Sequence, residues 1–383
     1  MNHAATPPAV PLLFTPWKCR GVSSRNRIVV SPMCQYLSEA GAPTDWHLVH
    51  LGKFAMGGAG IVFSEETAVE ERARKTYGCA GIYSDQHVPA YRRLTDHIRA
   101  NGALPAIQLG HAGRKASCGP PWTMFRPLTE EDAANGQPPW QGVSASAIAA
   151  KPGALVPHAM DEDDIRQVIR AWADAARRAV DAGFDICEIH GAHGYLIHQF
   201  LSPLSNQRSD AWGGDLAGRM RLALEITQAV RAVWPADRPL FFRVSAVDGQ
   251  GGVWDMDDTV ALSRALKDCG VDVITCSSGG INGPLNMAIV PRVPGYQVPY
   301  AARVRREAGV ESCAVGLITD AEHAEQILRD GDADLIAMAR EFLLNPSWPV
   351  HAAQALGVGE ALDFLPSGYS WWLKRREEIR RLS

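Results

Sequence analysis

Two histidines and a tyrosine follow a buried strand in this chain and could together carry out proton chemistry. The segment His190-Gly191-Ala192-His193-Gly194-Tyr195 comes directly after the apolar run 184–189. In parallel α/β folds the active site lies at the carboxyl ends of the strands. Imidazole and phenol groups donate hydrogen bonds or protons near neutral pH. The segment therefore suits a reaction in which a carbonyl oxygen gains negative charge and a neighbouring carbon gains a proton.

Candidate site residues also follow six of the seven other predicted strands, at the end where a parallel fold keeps its site. In chain order these are Ser31, Pro32, Met33, Cys34 and Tyr36 after the first strand, Gln108, His111, Arg114 and Lys115 after the third, Arg243 and Ser245 after the fifth, Ser277 and Ser278 after the sixth, Gly316 after the seventh, and Ala339 and Arg340 after the eighth. Their common placement predicts one composite site.

The last two strand ends predict a phosphate site. Barrel enzymes often bind phosphate on the loops after strands seven and eight. Gly316 permits close approach of the backbone, and Arg340 offers a forked donor that suits phosphate. The alternative is that Arg340 forms an ion pair with an acidic side chain on the rim.

Arg243 and Gln108 are predicted to face a ligand at the barrel mouth. Arg243 ends an apolar strand, and a buried guanidinium needs an anionic or strongly accepting partner. The N1–C2=O edge of a flavin would serve as that partner. Gln108 can donate and accept at once, as the pyrimidine edge of a flavin requires. The alternative for Arg243 is an internal salt bridge.

Eight short apolar runs indicate the fold that positions these residues. The runs span 27–33, 60–65, 104–109, 184–189, 240–244, 271–276, 313–317 and 334–339. Amphipathic segments at 161–179, 257–269 and 320–329 lie between them, and strands that alternate with helices form parallel sheets. The count of eight predicts an α/β fold of the (β/α)8 TIM-barrel type.

An open doubly wound sheet is the competing α/β architecture. It should show G-x-G-x-x-G after an early strand, and the chain contains neither this motif nor G-x-x-x-x-G-K-[ST]. We expect one barrel domain over 10–360 with an N-terminal hairpin, and a C-terminal tail over 361–383. The long stretch 117–157 after strand three is either a functional lid or a tolerated surface insertion.

The composition is that of a globular protein. The 383 residues are 46% hydrophobic and 21% charged, and the formal net charge of -4 gives no reason to expect binding to nucleic acid or to an anionic membrane. No apolar run approaches the roughly 20 residues of a membrane helix, and residues 1–11 lack the pattern of a secretory signal. The eight cysteines form no C-x-x-C pair, which favours a cytoplasmic protein without disulfides.

Several of these motifs, in this order, resemble the Old Yellow Enzyme family of FMN-dependent ene-reductases. The resemblance covers roughly residues 13–372, and Cys34 resembles the bacterial thermophilic-like branch that includes xenobiotic reductases. The motifs that carry it are Ser31-Pro32-Met33-Cys34, His111-Ala112-Gly113-Arg114-Lys115, the 190–195 segment with Leu201-Ser202-Pro203, and Ala314-Val315-Gly316-Leu317-Ile318.

The resemblance implies a cofactor, a reductant and a reaction. FMN would lie across the barrel mouth, NADPH or NADH would reduce it, and flavin N5 would deliver a hydride to the β-carbon of an activated alkene such as an enone, enal, maleimide or nitro compound. The implied FMN contacts are Ser31, Pro32, Met33 and Cys34 at the flavin edge, Glu66 beside it, Gln108 and Arg243 at the pyrimidine ring, and Gly316, Ala339 and Arg340 at the phosphate.

The resemblance also assigns the residues around the substrate. His190 and His193 would hydrogen-bond the carbonyl oxygen, and Tyr195 would give a proton to the α-carbon. Cys34 would modulate the flavin, while Tyr36 and Lys115 would border the substrate. In the resembled branch the tail reaches a partner subunit's site, so Trp372 would contribute to a homodimer or homotetramer. The alternative is that the tail tryptophans pack on their own barrel.

Two positions depart from the family pattern, and two other functions stay open. Ala339 stands where we expect glycine, and Glu66 where the family has a small alanine. An inward Glu66 carboxylate would oppose an anionic reduced flavin. The His190/His193 pair could instead hold zinc in a metal-dependent hydrolase, although zinc needs further ligands and Glu188 is expected to point away from the histidines. A flavin-binding protein without turnover is the third possibility.

Overall fold

The chain forms a closed barrel of eight parallel strands with helices around it. The computed structural model describes residues 10–249, 253–281, 290 and 292–382. The strands are β1 (Trp17–Cys19), β2 (Val22–Ser24), β3 (Ile28–Val30), β4 (Ile61–Ala68), β5 (Leu104–Gly110), β6 (Val143–Ser144), β7 (His158–Ala159), β8 (Ile186–Gly191), β9 (Leu240–Ser245), β10 (Val273–Ser277), β11 (Glu311–Val315) and β12 (Leu335–Met338). Strands β3, β4, β5 and β8 to β12 close the barrel, so the predicted (β/α)8 TIM barrel is confirmed.

Helices connect successive barrel strands and cover the outside of the sheet. They are α1 (Asp45–Met56), α2 (Val88–Ala100), α3 (Glu130–Ala134), α4 (Glu162–Asp181), α5 (Leu196–Leu201), α6 (Leu216–Val233), α7 (Met256–Asp268), α8 (Val298–Ala308), α9 (Ala321–Arg329), α10 (Arg340–Leu344), α11 (Trp348–Ala355) and α12 (Ser367–Leu382). The amphipathic segments predicted from the sequence coincide with α4, α7 and α9. Asp161 begins α4 because its carboxylate accepts the backbone N–H of Asp164 at 2.9 Å.

Each of the eight apolar runs overlaps one barrel strand, and the two largest differences in boundary, three residues each, are at the ends of β3 and β4. Strand β3 ends at Val30, before Pro32, which has no N–H to donate to a ladder. Strand β4 continues past the expected end at 65 to Ala68, with an irregularity between Phe63 and Glu66. Glu65 and Glu66 can be buried in this strand because each carboxylate has a basic partner, His47 for Glu65 and Lys75 for Glu66.

Alternate residues of the barrel strands separate two apolar clusters. The outward side chains pack against the helices. The inward ones fill the barrel, with Phe63, Phe241 and Trp17 in one cluster. Trp17 comes from the N-terminal hairpin β1–β2, and its ring meets Phe241 edge-on at 5.8 Å. The predicted hairpin therefore packs against the amino-terminal layer of the barrel interior.

The two segments outside the regular barrel differ in what they contact. The stretch 117–157 contains α3 and β6, and β6 pairs with β7. The tail forms α12, where Trp371 and Trp372 are 60% and 69% exposed and therefore do not pack on their own barrel. The division into a domain over 10–360 and a tail over 361–383 stays a prediction. Among the helices that the structure describes, none has the length and apolar character needed to cross a membrane.

Candidate active site

A cavity of about 310 Å³ lies at the carboxyl ends of the barrel strands. His193 and Tyr195 of the motif line it, together with the ammonium groups of Lys75 and Lys115. The stretch after β5 supplies an apolar wall that includes Phe125 and Leu155, and further lining residues are Pro127, Ala150, Ala154, Val290 and Tyr296. The long stretch 117–157 is thus part of the pocket rather than a remote insertion.

The two histidines and the tyrosine converge as the motif predicts. The ring centres of His190 and His193 are 5.0 Å apart, and those of His190 and Tyr195 are 5.2 Å apart. His193 Nδ1 lies 3.3 Å from His190 Nε2, and its Nε2 lies 2.7 Å from the hydroxyl of Ser277. The imidazoles therefore contact each other and the wall at the end of β10.

The loop that carries the motif is fixed by close backbone contacts. Gly194 has φ of +70°, and a Cβ there would lie 2.1 Å from the carbonyl oxygen of Gly280. Lys115 Nζ donates to that same oxygen and, at 2.8 Å, to the carbonyl oxygen of His193. The backbone N–H of Gly194 donates to His198 Nδ1 at 2.8 Å. Lys115 thus joins the loops after β8 and β10, a structural role in addition to its predicted position beside the substrate.

Burial sets the protonation state of the motif. It lowers the pKa of His190 and His193 well below the ordinary value, so both imidazoles are neutral at pH 7. Burial also raises the pKa of Tyr195, which keeps the phenol protonated. It lowers the pKa of Lys115 to about 7. The site therefore presents neutral hydrogen-bond donors and a phenolic proton.

A layer of polar side chains lies inside the barrel below the motif. Gln108 donates to one oxygen of the Glu188 carboxylate at 2.7 Å, and Thr275 donates to the other at 2.5 Å. The expectation that Glu188 points away from His190 was wrong. The two residues are separated by two positions in β8, so strand alternation places both side chains in the barrel interior.

Arg243 is buried without a hydrogen-bond partner. The residue is 8% exposed, and no described residue forms a hydrogen bond or ion pair with its guanidinium. It lies opposite His190 in the register of β8 and β9. The hydroxyl of Ser31, at the end of β3, is also buried without a partner among the described residues. Donors of this kind at a barrel mouth fit the polar edge of a bound ligand.

The predicted phosphate residues follow β11 and β12. Gly316 has φ of +129°, and a Cβ there would lie 3.1 Å from Gln297 Nε2. Arg340 is exposed, and within the described part of the chain it forms no ion pair. Ala339 has φ of -118°, which is outside the left-handed region, so the backbone does not require glycine at this position.

Lys75 is the residue of the site that the sequence analysis missed. Its ammonium forms an ion pair with Glu66, and it donates to Cys34 Sγ at 3.3 Å. The Glu66 carboxylate is therefore compensated by a cation, which answers the expected conflict with an anionic flavin. A carboxylate within a buried strand needs a basic partner, and that requirement was the signal in the sequence that could have indicated Lys75.

Tyr36 is held in a strained conformation beside the pocket wall. Its φ is +59°, which is uncommon for a bulky residue, and its ring lies 6.2 Å from that of Phe125. The backbone N–H of the preceding residue, Gln35, donates to Oε2 of Glu65 at 3.0 Å. Oε1 of Glu65 lies within hydrogen-bond distance of His47 Nε2, at 2.9 Å. This buried network fixes the loop that carries Tyr36.

Trp372 is not brought to this pocket, since it lies exposed on α12 and is not a lining residue. Among the described residues, no group of three or more histidine, cysteine, aspartate or glutamate side chains is arranged to hold a metal ion. All eight cysteines are unpaired.

Comparisons with known proteins agree with the fold and show relatives of this chain. The model of the NADH:flavin oxidoreductase / NADH oxidase family matches residues 12–358. An NADPH dehydrogenase of Geobacillus sp. (strain WCH70) is 44% identical over 349 residues, which are 91% of this chain and 95% of that protein. One from Halalkalibacterium halodurans is 42% identical over 348 residues, or 90% and 95%.

Two solved structures share the fold. A morphinone reductase variant in complex with tetrahydroNAD superposes with a TM-score of 0.73 at 25% identity, covering 90% of this chain and 91% of that one. A 2-naphthoyl-CoA reductase complex superposes with a TM-score of 0.81 at 23% identity, covering 92% of this chain. This chain spans about half the length of that reductase, 53%.

The chain belongs to the NADH:flavin oxidoreductase / NADH oxidase family. The resemblance to the Old Yellow Enzyme family, drawn from the motifs, is confirmed. The protein is an oxidoreductase that uses FMN as its cofactor and NAD(P)H as its reductant.

Proposed function

We propose that this oxidoreductase reduces the C=C bond of activated alkenes, namely enones, enals, maleimides and nitro compounds. The observation that carries the proposal is the convergence of two neutral imidazoles and a protonated phenol on one wall of the pocket. Adding a hydride to such an alkene places negative charge on its conjugated oxygen. Preorganised donors at that oxygen lower the barrier, and loss of one donor typically costs roughly 10²–10³ in rate.

The inward side chains of the barrel mouth suit FMN. Arg243, buried and without a hydrogen-bond partner among the described residues, would hold the N1–C2=O edge of the flavin, and Gln108 would lie at the same ring. Ser31, Pro32, Met33, Cys34 and Glu66 would border the flavin, and Gly316, Ala339 and Arg340 would hold its phosphate. When bound, FMN supplies the hydride to the β-carbon of the alkene.

The residues of the motif then bind the substrate oxygen and supply the proton. His190 and His193 donate to the substrate oxygen, which takes the place of the 3.3 Å contact between their rings. Tyr195 supplies the proton to the α-carbon. Phe125 and Leu155 form the apolar side of the pocket, with the Tyr36 ring next to Phe125. This apolar side favours substrates with a hydrocarbon body.

The quaternary structure belongs to the same proposal. Trp371 and Trp372 expose large apolar surfaces on α12, and exposed aromatic side chains are typical of association surfaces. We infer a homodimer or homotetramer in which Trp372 reaches the site of a partner subunit. A cytoplasmic location is the remaining part of the proposal, and the eight free cysteines support it.

Product labelling tests the proposed reaction. The FMN-loaded enzyme is reduced with NADPH in D₂O without oxygen and is then mixed with 2-cyclohexenone. The proposal predicts cyclohexanone with a new bond to hydrogen at the β-carbon and deuterium from the solvent at the α-carbon. An enzyme that NADPH reduces but that forms no saturated ketone with any of the four alkene classes would refute the proposal.

A further inference from the structure

The pocket wall contains a buried ion pair that the reaction outlined above does not use. Lys75 and Glu66 form this pair, and their side chains are only 2% and 5% exposed. Burying two charges costs several kcal/mol per ion, so such pairs add little to stability. A pair of this kind beside a reaction pocket is therefore best explained by the effect of its charge on neighbouring groups.

Lys75 reaches two residues of the proposed chemistry at once. Its Nζ donates to Cys34 Sγ at 3.3 Å and lies 5.1 Å from the centre of the Tyr195 ring. Lys75 also lines the cavity beside Tyr195. Oε2 of the Glu66 carboxylate holds the ammonium in this position. The other carboxylate oxygen, Oε1, has no hydrogen-bond partner among the described residues.

A second ammonium faces the same ring but differs in its charge. Lys115 Nζ lies 5.5 Å from the centre of the Tyr195 ring. Burial lowers its pKa to about 7, so Lys115 loses its charge near neutral pH. Burial also acts to lower the pKa of Lys75, but the Cys34 sulfur and the Glu66 carboxylate outweigh it and raise that pKa well above its ordinary value. Lys75 is therefore the cation that persists beside Tyr195.

We propose that Lys75, held by Glu66, is a positioning residue that stabilises the tyrosinate which Tyr195 becomes after giving its proton to the substrate. This inference rests on the proposed function. In the step, the O–H bond of Tyr195 breaks, its electron pair stays on the phenolic oxygen, and the proton forms the new C–H bond at the α-carbon. Water in the pocket returns a proton to the oxygen. The charged and titratable groups that face Tyr195 are Cys34, Tyr36, Glu66, Lys75, Cys79, Lys115, His190 and His193.

The direct test measures the acidity of residue 195 itself. Tyr195 is replaced by 3,5-difluorotyrosine, whose phenol is more acidic than that of tyrosine and titrates in an accessible pH range by ¹⁹F NMR. In the FMN-loaded enzyme, Lys75→Met should raise the titration midpoint by about 1–3 pH units, the effect typical of removing a neighbouring opposite charge. Lys75→Arg should restore a midpoint near that of the parent.

Glu66→Gln gives a result of the opposite sign. The Glu66 carboxylate raises the pKa of Tyr195, so its removal should lower the midpoint. A general loosening of the site would shift the titration midpoints of Lys75→Met and Glu66→Gln in the same direction. If Lys75→Met does not fold, the double variant Glu66→Gln, Lys75→Met removes both charges together, and its midpoint should lie above that of Glu66→Gln. Lys151→Met, which removes another pocket-lining ammonium, should change the midpoint less than Lys75→Met.

The outcomes separate this inference from the proposed function. Midpoints that move in opposite directions, with Lys75→Met slowing the alkene step more than the NADPH step, support it. If the titration midpoint in Lys75→Met equals that of the parent, the inference is overturned, whether or not Tyr195 donates the proton. If the midpoints move but Tyr195→Phe reduces alkenes at the parent rate, the proposed proton donation fails and the catalytic role of Lys75 fails with it.

Discussion

Replacing Gly194 by alanine should damage the alkene step far more than stability alone would explain. A Cβ at position 194 would lie 2.1 Å from the backbone oxygen of Gly280, and φ is +70°. An L residue in the left-handed region costs roughly 1–2 kcal/mol. The oxygen belongs to the backbone and cannot rotate away, so the loops must separate by about 1 Å. A displacement of about 1 Å can cost roughly 100-fold in rate.

Gly136→Ala is the matched control for this prediction. Gly136 has a similar φ of +79°, but nothing lies within 4 Å of a Cβ built there. It should lose the same roughly 1–2 kcal/mol in urea unfolding and keep its rate of alkene reduction. Stopped-flow oxidation of the NADPH-reduced enzymes by N-ethylmaleimide measures the alkene step. Equal stability losses with equal rates in the two variants would refute the role assigned to the contact between Gly194 and Gly280.

Three other predictions concern the cofactor and the pH dependence. Arg243→Met should weaken FMN binding about 10–100-fold, because a hydrogen bond to a charged group is worth about 1.5–3 kcal/mol, and fluorescence titration of the apoprotein measures this; unchanged affinity would contradict it. Arg340→Gln should weaken FMN more than riboflavin, since only FMN carries phosphate, and equal losses would exclude the phosphate contact. The rate of the alkene step should change with an ionisation near pH 7, because Lys115 is charged below that pH and neutral above it. The pH–rate profile of Lys115→Met should lack that ionisation.

The sequence was most informative where strand parity and strand ends decide the geometry. Eight apolar runs predicted the eight barrel strands, and the position of Arg243 within its run predicted an inward guanidinium. The alternation of side chains along β8 places Glu188 and His190 on the same side, in the barrel interior. The expectation that Glu188 points away misapplied this alternation. The motif 190–195 was placed correctly because it begins at a strand end, where side-chain direction follows from the barrel.

Residues that depend on tertiary contacts could not be placed from the sequence. Lys75 lies in the loop after β4, seven residues beyond the end of that strand, and no local period fixes where its side chain points. The contact of Lys115 with the loops after β8 and β10 likewise depends on how those loops pack. The continuation of β4 past Glu65 to Ala68 places Glu66 within the strand, where its carboxylate pairs with the buried Lys75.

The assignment of Tyr195 as proton donor is the central claim, and separating the two half-reactions tests it most directly. Tyr195→Phe removes only the hydroxyl, and Tyr296→Phe, in the same pocket, is its control. Anaerobic stopped-flow should show flavin reduction by NADPH at the parent rate in both variants. Oxidation by 2-cyclohexenone should fall by roughly 10²–10⁴ in Tyr195→Phe and stay near the parent rate in Tyr296→Phe. Oxidation at the parent rate in Tyr195→Phe would contradict the account.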